Sequence, residues 1–364
     1  MQTSTSEYDR ATLMFPSSDP SIRMTLNAIL LAFRSWAMSS LSVQFYASVF
    51  GVIITSGHLI VLTRKAMRTS SIVPIMMGIA IGDLLAMIAT IVADGFMFGV
   101  EGTDCTPPVP ILSFRIFWLF IVLRDMSRRS STWLGVILAL FRFIMVKFAA
   151  RPEIYSVSRV NFGFKAVIWS FAVSAVFSMA YYFRYDVIEE GTWRPMQNCT
   201  NIPLDTQRPI VTQKPSALFT INNGLFGKTY MFVNGICSKI LPCLLLPLLT
   251  ILLISVLRQA DVERKLTNVG PRKATERTTG LVIFMTVTFF IVELPLGLSL
   301  VGQVAYTDLG YLQLTTYVQL VVNSVFVLNA TIHCLICFLM SSGYRTTVVK
   351  MLPCLEKDVM MVQA

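Results

Sequence analysis

IVPIMMGIAIGDLLAMIATIVADGFM, residues 72–97, decides the architecture. A bilayer core about 30 Å thick is crossed by about 20 apolar residues of helix, and a run this long and this apolar fits that solvent better than a soluble core. Hydrocarbon offers no partner to backbone N–H and C=O groups, so the run reads as a helix that satisfies its own hydrogen bonds. Asp83 stands alone in the middle of it.

Working outward from this run, six more of comparable length follow the same rule. The seven spans are read at 41–63, 72–97, 111–141, 166–183, 230–257, 278–304 and 311–339. The third is the least apolar, because Arg124, Asp125, Arg128 and Arg129 interrupt it. An all-α membrane protein is expected, a bundle of seven transmembrane helices over 41–340. An external N-terminal segment, 1–40, precedes it and a cytoplasmic amphipathic helix and tail, 341–364, follow. Residues 24–40, broken by Arg34, read as a short surface helix or no helix at all.

Composition supports a membrane location. Over 364 residues, 54% are hydrophobic and 14% charged, and the mean hydropathy is +0.66. The net charge of +10 does not indicate a nucleic-acid partner, because the basic residues sit in short gaps between apolar runs rather than on a polar surface. Arg64, Lys65 and Arg68 follow the first span with no acid beside them. Arg142, Lys147, Arg151, Arg159 and Lys165 face Glu153 alone, and Arg258, Arg264, Lys265, Arg272, Lys273 and Arg277 face three acids between spans five and six. The gaps between spans two and three and between spans six and seven hold acids only, at Glu101, Asp104 and Asp308. By the positive-inside rule the N-terminus and the long segment 184–229 lie outside and the C-terminus lies in the cytoplasm, and a plasma-membrane location is expected.

Enzyme chemistry has little material. The two histidines, His58 and His333, both fall inside spans, and the one CxxC pair, Cys334 and Cys337, lies in an apolar run. Neither spacing suggests a nucleophilic site or a metal site, and no phosphate-binding glycine loop occurs. No cofactor is expected. The acids Glu7, Asp9 and Asp19 argue against a cleaved signal peptide, so the first span is expected to serve as the targeting signal. Cys105 and Cys199 are the cysteines of the external loops, an oxidising compartment, and are the expected disulfide. That bond would compete with glycosylation of the sequon Asn198-Cys199-Thr200. Ser341 to Leu352 suits a short interfacial helix, with Cys354 either palmitoylated or unmodified.

Several stretches, in order, carry a resemblance. HLIVLTRKAMRTSSI (58–72), GIAIGDLL (78–85), SRRSSTWLGVILALFR (127–142), KILPCLLLPLLTILLI (239–254), IVELPLG (291–297) and NATIHCLICFLMSSGYR (329–345) resemble the nematode serpentine receptor class W. That family is similar to FMRFamide-like and myosuppressin-type peptide receptors within the rhodopsin-like superfamily. The resemblance implies a rhodopsin-like G-protein-coupled receptor whose partners are a heterotrimeric G protein and an extracellular peptide or small-molecule cue. It makes Asp83 the buried carboxylate of the second helix, with Ser131 and Asn329 as polar neighbours. It makes Arg142 the arginine of the G-protein end of helix three, and Trp169, Pro242 and Pro295 packing and kink residues. The sequence departs from the superfamily pattern at Phe141 before Arg142, at Ala330 and His333 in the seventh helix, at Thr55 in the first, and at Glu293 where a Trp is common.

Charge inside a span is costly and marks function. Asp83 therefore needs a partner: either a hydrated or sodium-occupied pocket with Ser131 and Asn329, or a proton and a packing role. Arg124 and Arg128 share a helix face, and Asp125 and Arg129 share the adjacent one. Glu293 and Asp94 are further counter-charges. The reading is an Arg128 to Glu293 ion pair acting as a switch in a ligand pocket with Arg124 and Asp125, Arg124 meeting an anionic or carbonyl-rich ligand. The alternative is a purely structural charge network. Rivals of another class are a transporter, disfavoured by the lack of internal repeats, and a seven-helix ligand-gated channel, disfavoured by the loop charges.

Overall fold

The computed structural model describes residues 9–65, 67, 71–100, 105–148, 159–195, 199, 202–203, 205–266, 274–340 and 342–351. The sequon at Asn198 and Thr200, Cys354, and the loop residues Arg68, Glu101, Asp104, Arg151, Glu153, Arg272 and Lys273 lie outside them. Helix α1 runs Pro20–Leu62, α2 Ile72–Val100, α3 Ile111–Lys147 and α4 Val160–Tyr182. A hairpin of β1, Tyr185–Trp193, and β2, Arg208–Pro215, follows. Helix α5, Ala217–Gly235, continues through a π-helical turn, Ile236–Ile240, into α6, Leu241–Leu266. Helices α7, Ala274–Ala305, and α8, Leu309–Met340, complete the bundle, and α9, Ser342–Met351, closes the described chain.

With α5 and α6 forming one rod, seven rods result. Six are long and apolar enough to cross a membrane, and in α7 the apolar stretch is Phe289–Ala305. The rods close on themselves: α1 lies against α2 and α8, α3 against α2, α4 and α6, and α7 against α5, α6 and α8. Large apolar side chains line the outside, Phe50, Ile53, Ile168, Val176 and Ile251 among them, while Gln44, Ser48, Asp83, Asp94, Arg128 and Glu293 are buried. This apolar-out, polar-in arrangement is what a lipid solvent selects.

The structure corrects three expectations. Residues 24–40 are neither a separate surface helix nor unstructured, since they belong to α1, which runs unbroken from Pro20. Pro20 at the first turn needs no N–H, and Asp19 caps the helix by accepting from the Ser21 amide at 3.1 Å. A hook before it ties the chain to the top of α8. Phe15 is fully buried edge-on to Tyr311, and the Ser17 amide and hydroxyl donate to Asp308 at 3.0 and 2.6 Å. The second correction is that the outer segment expected over 184–229 already turns helical at Ala217, with a break where Asn222, Asn223 and Gly224 take positive φ. The third concerns Trp169, expected as a packing residue but 70% exposed. Helix α4 buries Gly163, Ser174 and Ser178, and Trp169 falls on the opposite, outward side.

Candidate functional site

The π-helical turn determines which side chains reach the bundle interior. Pro242 has no N–H to give the carbonyl four residues back, so the turn before it widens, and a widened turn shifts the helix face. Ser238 and Lys239 thereby point inward and are 2% exposed. Pro295, inside α7, lies two residues beyond Glu293.

Around that point seven charged side chains from four rods converge. Arg128 Nη2 donates to Glu293 Oε1 at 2.6 Å, and Lys239 Nζ lies 2.9 Å from Glu293 Oε2. One carboxylate thus faces two cations. Arg128 also donates to Asn323 Oδ1 on α8, and its guanidinium lies over the Phe326 ring at 4.6 Å. Spans three, five, six and seven are joined here through four side chains.

Arg129 faces the other way. It pairs with Asp125 one turn before it and donates to Ser238 Oγ at 2.9 Å, the Ser174 carbonyl at 3.0 Å, Ser178 Oγ at 3.0 Å and Asn234 Oδ1 at 3.1 Å. Its donors are well used, so Arg129 and Asp125 form a clamp between α3, α4 and α5. Asp125, read in the sequence as part of the ligand pocket, is engaged in this clamp. Arg124 sits one turn above Arg128, 3.9 Å from Asp94, which accepts from Gln44 at 2.8 Å. Asp94 Oδ2 and Gln44 Oε1 have no hydrogen-bond partner among the described residues.

A disulfide joins Cys105 and Cys199, S–S 2.00 Å, and ties the hairpin connection to the start of α3. The hairpin itself is crossed by Lys214 and Glu190 at 2.8 Å. That hydrogen bond holds the Glu190 carboxyl below the usual carboxylate range, on a fully exposed surface.

Below Phe326, toward α9, a cavity of about 480 Å3 opens. Asp83, Ser131, Asn329 and Arg142 all line it, as the resemblance implies for the first three. Their contacts differ from the expected set. Asp83 Oδ2 meets His333 Nδ1 at 2.9 Å, whereas Ser131 donates to the Ile79 carbonyl at 3.3 Å. His333 stands on the same face of α8 as Asn329, one turn on, and reaches the carboxylate directly. Asp83 Oδ1 is buried with no partner among the described residues. At the α9 end, Tyr344 is 1% exposed, and its hydroxyl lies 2.8 Å from His58 Nδ1.

Four of these residues escaped the sequence reading. Lys239 lies in an apolar run, and the rule that flagged Arg128 applied to it equally. Asn323 and Tyr344 carry no such signal, being ordinary polar residues whose burial only packing determines. His333 was noted in the sequence as a histidine inside a span, and the structure supplies its partner, Asp83. Among the described residues no group of histidine, cysteine and carboxylate side chains is arranged to hold a metal.

Comparison with known proteins agrees with this geometry. The family model described as "Serpentine type 7TM GPCR chemoreceptor Srw" matches residues 42–355. The chain is also similar to the G-protein coupled receptor dmsr-1 of Caenorhabditis elegans, 25% identical over 241 residues, which are 65% of this chain and 46% of that protein. The chain thus spans just under half the length of the curated relative it matches.

Proposed function

Since the chain belongs to the serpentine type 7TM GPCR chemoreceptor Srw family, and is therefore a receptor and not an enzyme, transporter or channel, we propose that it recognises an extracellular ligand between spans three, five, six and seven. The hairpin end then faces the outside of the plasma membrane and the α9 end the cytoplasm, where Arg142 lies on the surface that meets a heterotrimeric G protein. The ligand is a FMRFamide-like neuropeptide or a water-soluble chemosensory cue, the two classes to which the quoted motifs are similar.

The observation that carries this reading is the Arg128–Glu293–Lys239 cluster with Asn323. It links four spans directly beneath Arg124, two residues before Pro295 of α7. A ligand group that competes for Arg128 or Glu293 loosens α7 from α3. That supplies the differential contact a shift between two states requires.

Calcium responses test it. The chain is expressed in cultured cells with a promiscuous G protein and exposed to a panel of FMRFamide-like peptides and water-soluble odorants, wild type beside Arg124→Gln. A peptide response that the variant loses, at equal surface expression, supports the pocket and the peptide class. A response that Arg124→Gln and Glu293→Gln both leave at wild-type potency overturns the pocket.

A further inference from the structure

The cavity beneath Phe326 has the size and lining of a small-molecule site. Its volume of about 480 Å3 falls within the range of roughly 300–1,000 Å3 in which proteins hold small ligands, with apolar walls and a few polar groups. The walls include Met76, Leu138, Leu246, Leu253, Phe289 and Ile336, so any occupant must be apolar over most of its length.

Among the lining residues the acidic and permanently cationic side chains are Asp83 and Arg142. At the inner end Asp83 is bonded to His333. At the α9 end Arg142 lines the cavity, and among the described residues no hydrogen bond or ion pair meets its guanidinium. A cation in apolar surroundings is stabilised by a counter-charge, and the carboxylate of the same cavity, Asp83, is already engaged. Along α3, Ser131 beside Asp83 and Arg142 are three turns apart, about 16 Å at the helical rise, the length of an extended chain of roughly a dozen carbons.

Helix α3 keeps this space open. Ser131, Thr132, Gly135, Leu138, Ala139 and Arg142 form one stripe at helical spacing on the cavity wall. A Cβ placed on Gly135 meets no atom within 4 Å. Small residues at 135 and 139 leave room that larger ones would fill.

We propose that this cavity binds an amphiphile with one anionic head and a single alkyl chain, its carboxylate on Arg142 and its chain running toward Phe326. The site is separate from the pocket around Arg128 and Glu293. It draws on the proposed function only for orientation, which makes the mouth cytoplasmic and the ligand a free fatty-acid-like carboxylate from that side. An occupant touching α3, α6, α7 and α8 together would tie these helices to one another, as the Thr250 to Thr286 hydrogen bond at 3.0 Å does between α6 and α7.

The test uses the purified full chain in phosphatidylcholine nanodiscs and dodecanoate carrying a terminal diazirine, photolysed and mapped by mass spectrometry. Because it reads binding and not signalling, its failure and that of the proposed function are distinguishable. Labelling of cavity residues such as Phe289 and Phe326, displaced by plain dodecanoate and not by dodecyltrimethylammonium, is the expected result. Arg142→Gln should weaken labelling about tenfold, the size of one charge-assisted hydrogen bond, and abolish the preference for the anion. Gly135→Leu should abolish labelling while keeping the wild-type melting temperature. Ala139→Leu, one turn on, serves if Gly135→Leu does not fold. Labelling confined to lipid-facing residues, equal displacement by both amphiphiles, or full labelling in the filled variants overturns the proposal.

Discussion

Arg128 Nη2 lies 2.6 Å from Glu293 Oε1, and this contact joins the third span to the sixth two residues before Pro295. Both side chains are buried, and Lys239 approaches the second carboxylate oxygen at 2.9 Å. Glu293→Gln leaves two facing cations without their shared anion. Breaking a buried pair from one side costs about 3–5 kcal/mol, so a large fall in melting temperature of the purified receptor is expected. Lys239→Met leaves a balanced pair and should cost less. The double variant should recover part of the Glu293→Gln loss, and strictly additive losses would refute the coupling.

Asp83 offers a second measurement. One carboxylate oxygen is held by His333 and the other is buried without a described partner, an arrangement suited to a sodium ion or water between Asp83, Ser131 and Asn329. Replacing choline chloride by sodium chloride should raise the melting temperature and alter agonist affinity in wild type, and should do neither in Asp83→Asn. Equal sodium dependence in both would assign Asp83 a packing role.

The Cys105–Cys199 disulfide closes a loop of 94 residues. Chain entropy for a loop of that size corresponds to about 4–5 kcal/mol. Cys105→Ser, Cys199→Ser and the double variant should reduce surface expression to the same level, because each removes the same bond. A double variant markedly worse than either single one would show that the free thiol matters instead.

Tyr344 anchors α9 to the bundle through His58 at 2.8 Å and through its packing on Val61, Leu62, Val73 and Ala80. Tyr344→Phe removes the hydroxyl alone and should cost about 1 kcal/mol, whereas Tyr344→Ala removes the packing as well and should cost about 3–5 kcal/mol. Melting curves of the two variants separate the contributions.

Two glycines provide a steric contrast. A Cβ on Gly163 would collide with the Ser71 carbonyl and come within 3.1 Å of Pro74 Cβ, while one on Gly57 meets nothing within 4 Å. Gly163→Ala should destabilise the packing of α4 on the start of α2 by about 1–3 kcal/mol, and Gly57→Ala should be neutral or stabilising by up to about 1 kcal/mol. Equal effects at the two positions would contradict the close approach of α4.

How much was legible in the sequence follows from which forces act along the chain and which act across it. Hydropathy is a property of consecutive residues, so the spans from 72–97 outward, and the family that their motifs resemble, are readable without coordinates. Intramembrane charge is legible for the same reason: Arg124, Arg128 and Glu293 are conspicuous because a charge in hydrocarbon is costly wherever it sits. The partner of each charge is another matter. Glu293 is shared with Lys239 because a π-helical turn ahead of Pro242 reorients one face of a helix. Asp83 meets His333 because α2 and α8 pack at that height. The extension of α1 back to Pro20 depends on the N-terminal hook bound to Asp308 and Tyr311, far away in sequence. The cavity between Asp83 and Arg142 exists because small side chains on α3 face walls supplied by six other helices, and the space left by packing has no representation in any one segment of chain. The sequence by itself determined the solvent, the number of spans and the buried charges of the third span with Asp83 and Glu293. Only the tertiary structure decided which charges meet and where empty volume remains, because both depend on distances between residues that the chain does not place side by side.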